Sequence, residues 1–172
     1  RVFMLDMYPQ GPLAEADFTT GDPFDLAPCV ERAPFLAVSG MRGPYSDAPV
    51  WTSALRHRLI PDARPELFVA QKIALLKYRP WMRLSAGLHF VADVRLARRD
   101  LLFAHFKYNA AFHAKTQAEV ARRQHFNNAE EYRKYQALLA EGRDVLWDAE
   151  RSVRWQECDV VQKIVAGGQL QG

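Results

Sequence analysis

Two stretches constrain the fold of this chain more than any other feature. Val2 to Tyr8 is apolar at every position except Asp6, and Leu101 to Phe106 is apolar except for His105. A strand with one wet face alternates apolar and polar residues. A run that is apolar at successive positions buries both faces, as strands do in a mostly parallel sheet covered on both sides. Such sheets take their ligands outside the carboxyl ends of the strands. In each run the single ionisable residue lies toward that end. An isolated charge is costly to bury, so Asp6 and His105 are each expected to be paired, neutral or functional. The plainer readings are a turn-bonding carboxylate for Asp6 and a neutral histidine bonded to a carbonyl for His105.

The rest of the chain reads as an α/β unit. Residues 9–34 are rich in Pro and Gly but carry the anchors Leu13, Phe18, Phe24 and Leu26, which predicts a long ordered loop. Phe35 to Ser39 is a short strand that turns at Gly40-Met41-Arg42-Gly43-Pro44. Further strands are expected around Ile73 to Leu76 and over Leu84 to Val91. Ala110 to Gln124 has high helix propensity. Asn128 and Glu131 have capping-box spacing for a helix that runs to about Ala140 and ends at Gly142. A last helix is expected from about Val153 to Val165. The 172 residues, 49% of them hydrophobic, suffice for one domain over 1–172 with a real core.

Charge and motifs narrow the chemistry. A net charge of +3 is too balanced for a general nucleic-acid binder. There is no apolar run of the ~18 residues that a membrane helix needs. Cys29 and Cys158 lie far apart in sequence and read as free thiols in a reducing compartment. No Gly-x-Ser-x-Gly, His-Glu-x-x-His or Walker loop is present. Cations cluster instead. Lys107 follows the second apolar run, and Lys115 and Arg122 share one helix face, with Arg123 beside them. Arg42 lies in a Gly-Met-Arg-Gly turn whose backbone N–H groups suit a phosphate. A solvated basic face is the plainer alternative. His113 and His125 share a helical phase but are too far apart to hold one metal.

Several pieces resemble the C-terminal part of bacterial family 2 glycosyltransferase-like proteins. They are Leu5-Asp6-Met7-Tyr8-Pro9, Gly21-Asp22-Pro23, Lys72-Ile73-Ala74-Leu75 and Ser85-Ala86-Gly87-Leu88-His89. The most specific block is Leu101 to Lys107, followed by Arg122-Arg123-Gln124-His125 and Glu131-Tyr132. The resemblance spans Leu5 to Gly172. It implies a partial GT-A fold, a Rossmann-like mixed sheet with C-terminal helices. It also implies a cytoplasmic enzyme that moves a sugar from a nucleotide-diphosphate donor to a sugar or glycan acceptor.

In that family an Asp-x-Asp motif holds a divalent metal, Mn²⁺ or Mg²⁺, against the diphosphate. The resemblance makes His105 the residue that completes the metal site from this half. Lys107, Lys115, Arg122, Arg123 and Arg42 become candidates for the leaving diphosphate. Asp6 leads as catalytic base, ahead of Asp22 and Asp25. No Asp-x-Asp occurs in the sequence, so the expectation is an acceptor-side portion that is inactive alone. The alternative is a non-catalytic module that binds a phosphate-bearing or protein partner.

Overall fold

The computed structural model describes residues 1–44, 46–92, 95–124 and 126–170. His125 and Gly172, which the sequence reading had included, lie outside them. In chain order the main elements are β1 (Val2–Asp6), α1 (Pro23–Leu26), β2 (Cys29–Glu31), β3 (Phe35–Gly43), β4 (Ser46–Ser53) and α2 (Ala54–Leu59). They continue with β5 (Gln71–Lys72), β6 (Leu101–His105), α3 (Phe112–Arg122), α4 (Phe126–Ala140), β7 (Ser152–Arg154) and α5 (Asp159–Val165). The architecture is mixed α/β with small sheets. One sheet has the order β5-β1-β6, β2 pairs with β7, and β3 pairs with β4.

β1 is the centre of the first sheet because it is the strand with two apolar faces. It runs antiparallel to β5 and parallel to β6. Phe3, Leu5 and Met7 join a core with Val30, Val161 and Ile164. Burying a side chain such as Phe3 contributes about 1.5–3 kcal/mol. A second core gathers Tyr8, Phe68, Tyr108, Phe112, Tyr135 and Leu146. The parallel register sets Asp6 directly beside His105, so the two ionisable residues meet at the carboxyl end of adjacent strands.

Several elements differ from the sequence reading. The long segment 9–34 is ordered, but it contains α1 and β2, and Tyr8 bridges Cys29 within it. β3 continues through Gly43 with an irregular register against β4 instead of turning at Gly40. β5 stops at Lys72, and Leu75 is exposed. Among the described residues no strand pairs with the apolar run 73–76, and without such a partner its β propensity gives no strand. Leu84 and Val91 form a single bridge around a 3-10 turn, which holds Gly87 at φ 68°. Asn127, Asn128 and Ala129 adopt left-handed backbone, so Asn128 does not cap α4 in the extended conformation a capping box requires, and Glu131 is free for another use. The last predicted helix divides into β7 and α5. Both cysteines are free and buried. No helix among the described residues is long and apolar enough to cross a membrane.

Candidate functional site

Asp6 lies at the centre of a buried charge cluster. Its Oδ2 accepts from Ser53 Oγ at 2.6 Å and from Arg56 Nε at 2.8 Å. Its Oδ1 accepts from Arg56 Nη2 at 3.0 Å and lies 2.6 Å from His105 Nδ1. Burial alone would raise the Asp6 pKa. The Arg56 charge and the His105 contact outweigh it and hold the carboxyl well below the usual carboxylate range. Arg56 owes its position to local sequence. Ser53 caps α2 by accepting from the Arg56 N–H, and Leu55 and Leu59, one turn apart, anchor the helix in the core.

The Asp6 contact decides what His105 can do. Two groups approach Nδ1, Asp6 Oδ1 at 2.6 Å and Arg56 Nη2 at 3.2 Å. A carboxylate only accepts and a guanidinium only donates, so the shorter contact, to Asp6, assigns the ring proton to Nδ1. In the neutral ring the lone pair is then on Nε2. A carboxylate behind a histidine fixes tautomer and orientation in this way at many metal and acid–base sites. Nδ1 faces the buried Asp6, so the exposed edge of the ring carries Nε2.

His105 lines a cavity of about 600 Å³, a size that suits a small-molecule ligand. Arg42, Lys107 and Lys115, three residues singled out from sequence, line it as well, with Arg56, Lys72, His89 and Glu131. Lys107 is held from every side. Its Nζ donates to Glu131 Oε1 at 2.7 Å and lies 4.4 Å from the Tyr135 ring centroid and 4.8 Å from that of Tyr132. Burial pushes its ammonium down to about 8, with Glu131 opposing and Arg56 adding to the shift. Glu131 also approaches Arg56 Nη1 at 3.6 Å. Burial would raise the Glu131 carboxyl, but Lys107 and Arg56 prevail and lower it. His89 Nδ1 donates to the Gln71 carbonyl at 2.8 Å, and burial lowers its pKa.

Other candidates fall elsewhere. Arg122 and Arg123 are not among the residues lining the cavity. Arg122 approaches Glu119 on its own helix at 3.5 Å, and Arg123 ends α3 in a left-handed cap. Asp22 caps α1 by accepting from the Phe24 N–H. Asp6 is a correction: its side chain is only 2% exposed and both oxygens are occupied. In this arrangement it faces Ser53, Arg56 and His105 and is closed to an incoming hydroxyl, whereas the expected role of base needs an accessible oxygen.

The sequence reading missed Arg56, Lys72 and the use made of Glu131. The signal for Arg56 was present as Ser53 three residues ahead of it, with Leu55 and Leu59 at helical spacing. Among the described residues no group of three or more His, Cys, Asp or Glu side chains is arranged to hold a metal. His105 Nε2 is a single donor of the kind that metals take, and one such donor alone does not make a metal site.

Comparison with known proteins finds no matching family model, no matching curated protein and no matching solved structure.

Proposed function

We propose that this chain is the acceptor-side part of a GT-A-type glycosyltransferase, and that its cavity receives the diphosphate of a nucleotide-sugar donor. The observation that carries the reading is the pairing of Asp6 with His105 at the carboxyl ends of two parallel strands, with the exposed edge of the imidazole on a cavity lined by Arg42, Lys72, Lys107 and Lys115. Ligands of α/β sheets bind at such ends. The resemblance of the 101–135 block to family 2 glycosyltransferases supplies the reaction class.

The chemistry follows from charge. Sugar transfer releases a nucleoside diphosphate, and negative charge grows on its bridging oxygen as the anomeric bond breaks. Preorganised cations stabilise that charge without reorganising at the moment of reaction. Arg42 and Lys115 lie on the exposed part of the cavity wall and Lys107 is buried in it. Asp6, Arg56 and Ser53 fix the His105 ring. A divalent cation, when bound, would offset diphosphate charge, and His105 Nε2 is the atom of this chain we assign to touch it.

The test is release of nucleoside diphosphate from a panel of nucleotide sugars by the intact protein. His105→Ala should lower the rate by roughly 10²-fold or more, and a wild-type rate in that variant contradicts the assignment. A second reading, a non-catalytic phosphate-binding module, is favoured by the internal pairing of the buried charges, Arg56 with Asp6 and Lys107 with Glu131. Saturable diphosphate binding with no nucleotide release from any donor would select it.

A further inference from the structure

From Leu67 to Ala92 the sequence contains Lys72, Lys77, Arg79 and Arg83 and no Asp or Glu. Within this stretch the chain makes a closed excursion. Ile73 N–H donates to Leu88 O at 2.9 Å at its base. At its tip Met82 N–H donates to Arg79 O at 3.0 Å, which makes Pro80 and Trp81 the central residues of a turn. Several large side chains of this excursion face solvent, while Ile73, Leu76 and Met82 are half-buried: Leu75 is 79% exposed, Tyr78 58% and Trp81 66%. Leu84 and Leu88 are exposed as well. Five exposed large apolar or aromatic side chains within one short excursion of the chain suit an interaction site.

The composition selects the partner. Trp and Tyr place an apolar ring and a polar tip at a bilayer interface, and interspersed Lys and Arg meet the headgroup phosphates. A stretch without acidic residues suits an anionic surface. A second copy of the chain would set four cations against four. Single-stranded nucleic acid would use the aromatic rings, but it gives no reason for Leu75, Leu84 and Leu88 to be exposed.

The geometry points to a peripheral membrane-docking loop. Trp81, Tyr78 and Leu75 enter the headgroup region of an anionic bilayer while Lys77 and Arg79 contact lipid phosphates. This assignment does not depend on the transferase reading. It has a consequence for the cavity, because Lys72, Ser85, His89 and Phe90, at and beside the base of the loop, line it. Docking therefore holds the cavity close to the bilayer surface.

The experiment is co-sedimentation of the protein with vesicles of phosphatidylcholine, with and without phosphatidylglycerol. The expected result is binding to the anionic vesicles that weakens as NaCl rises from ~0.05 to ~0.5 M. Both Trp81→Ala and the double variant Lys77→Glu/Arg79→Glu should weaken it at least about tenfold. These positions are exposed, so the variants keep the fold, and circular dichroism verifies it. Failure to bind anionic vesicles at low salt overturns the proposal, as does binding that the variants leave unchanged. Two further results would also overturn it if seen without vesicle binding: self-association in sedimentation velocity that Trp81→Ala abolishes, or tight binding of a single-stranded oligonucleotide.

Discussion

Replacing Asp6 with Asn tests the buried cluster on which the site is built. The carboxylate accepts four contacts, from Ser53 Oγ, from Arg56 Nε and Nη2, and from His105 Nδ1. Asn keeps one acceptor oxygen and sets an NH₂ group against donors. At least one Arg56 donor then loses its partner, and the guanidinium, only 7% exposed, keeps its charge. Hydrogen bonds to charged groups are worth about 1.5–3 kcal/mol each. Removing one member of a buried ion pair costs about 3–5 kcal/mol, and Glu131, 3.6 Å from Arg56 Nη1, compensates only in part. For a chain of this length that corresponds to a fall in Tm of roughly 6–20 °C.

The pH dependence carries a second signature. The folded pKa of Asp6 is depressed, so its contribution is present above the unfolded value and is lost as pH falls toward the folded one. Wild type should therefore lose stability below about pH 4 more steeply than Asp6→Asn. Urea denaturation at several pH values measures both effects. A loss under about 1 kcal/mol at neutral pH, or parallel acid limbs, would refute the account of the cluster.

Other outcomes follow from the same coordinates. In ¹³Cε NMR of the lysines, one resonance should titrate near pH 8 and vanish in Lys107→Met, whereas midpoints all above pH 10 would contradict the burial argument. Between about 8 and 10.5 the unfolded chain retains a proton that folded Lys107 has released, so this group adds stability as pH rises through that window. Tyr8→Phe removes a hydroxyl that donates to Glu31 Oε1 at 2.9 Å and lies 2.8 Å from Ser152 Oγ, across β2 and β7. Denaturant melts should show a loss of about 1–3 kcal/mol, and an unchanged midpoint would mean that this buried contact does not form.

The legible parts of the sequence were those where one local signal sufficed. β1 and β6 followed from runs with no polar alternation, α3 from its propensity, and the place of Asp6 and of His105 near a strand end from each run. That β1 and β6 pair in parallel, so that the two residues meet, is a tertiary fact. The enclosure of Asp6 is not legible locally, because its partner Arg56 lies fifty residues away in sequence, on the short helix α2. That pairing is a tertiary fact, and no periodicity records it. Lys107 was selected as a cation but not as a buried one. Its aromatic enclosure comes from Tyr132 and Tyr135 on α4, and α4 lacks the cap that the sequence suggested. Arg122 shares a helix face with Lys115 but lies two turns further along α3, roughly 10 Å away along the axis, and Arg123 ends the helix in a left-handed cap. The apolar segment 73–76 has strand-like composition, yet among the described residues no strand pairs with it, and it forms a loop in which Ala74 and Leu75 are exposed and Ile73 and Leu76 half-buried.

Titration of inorganic pyrophosphate into the ¹⁵N-labelled protein, with and without Mg²⁺, tests the central claim most directly. Saturable amide shifts should centre on Arg42, Lys72, His105 and Lys115, and His105→Ala should weaken the Mg²⁺-dependent part. Shifts confined to other surfaces, or no saturable response, would contradict a diphosphate site in this cavity.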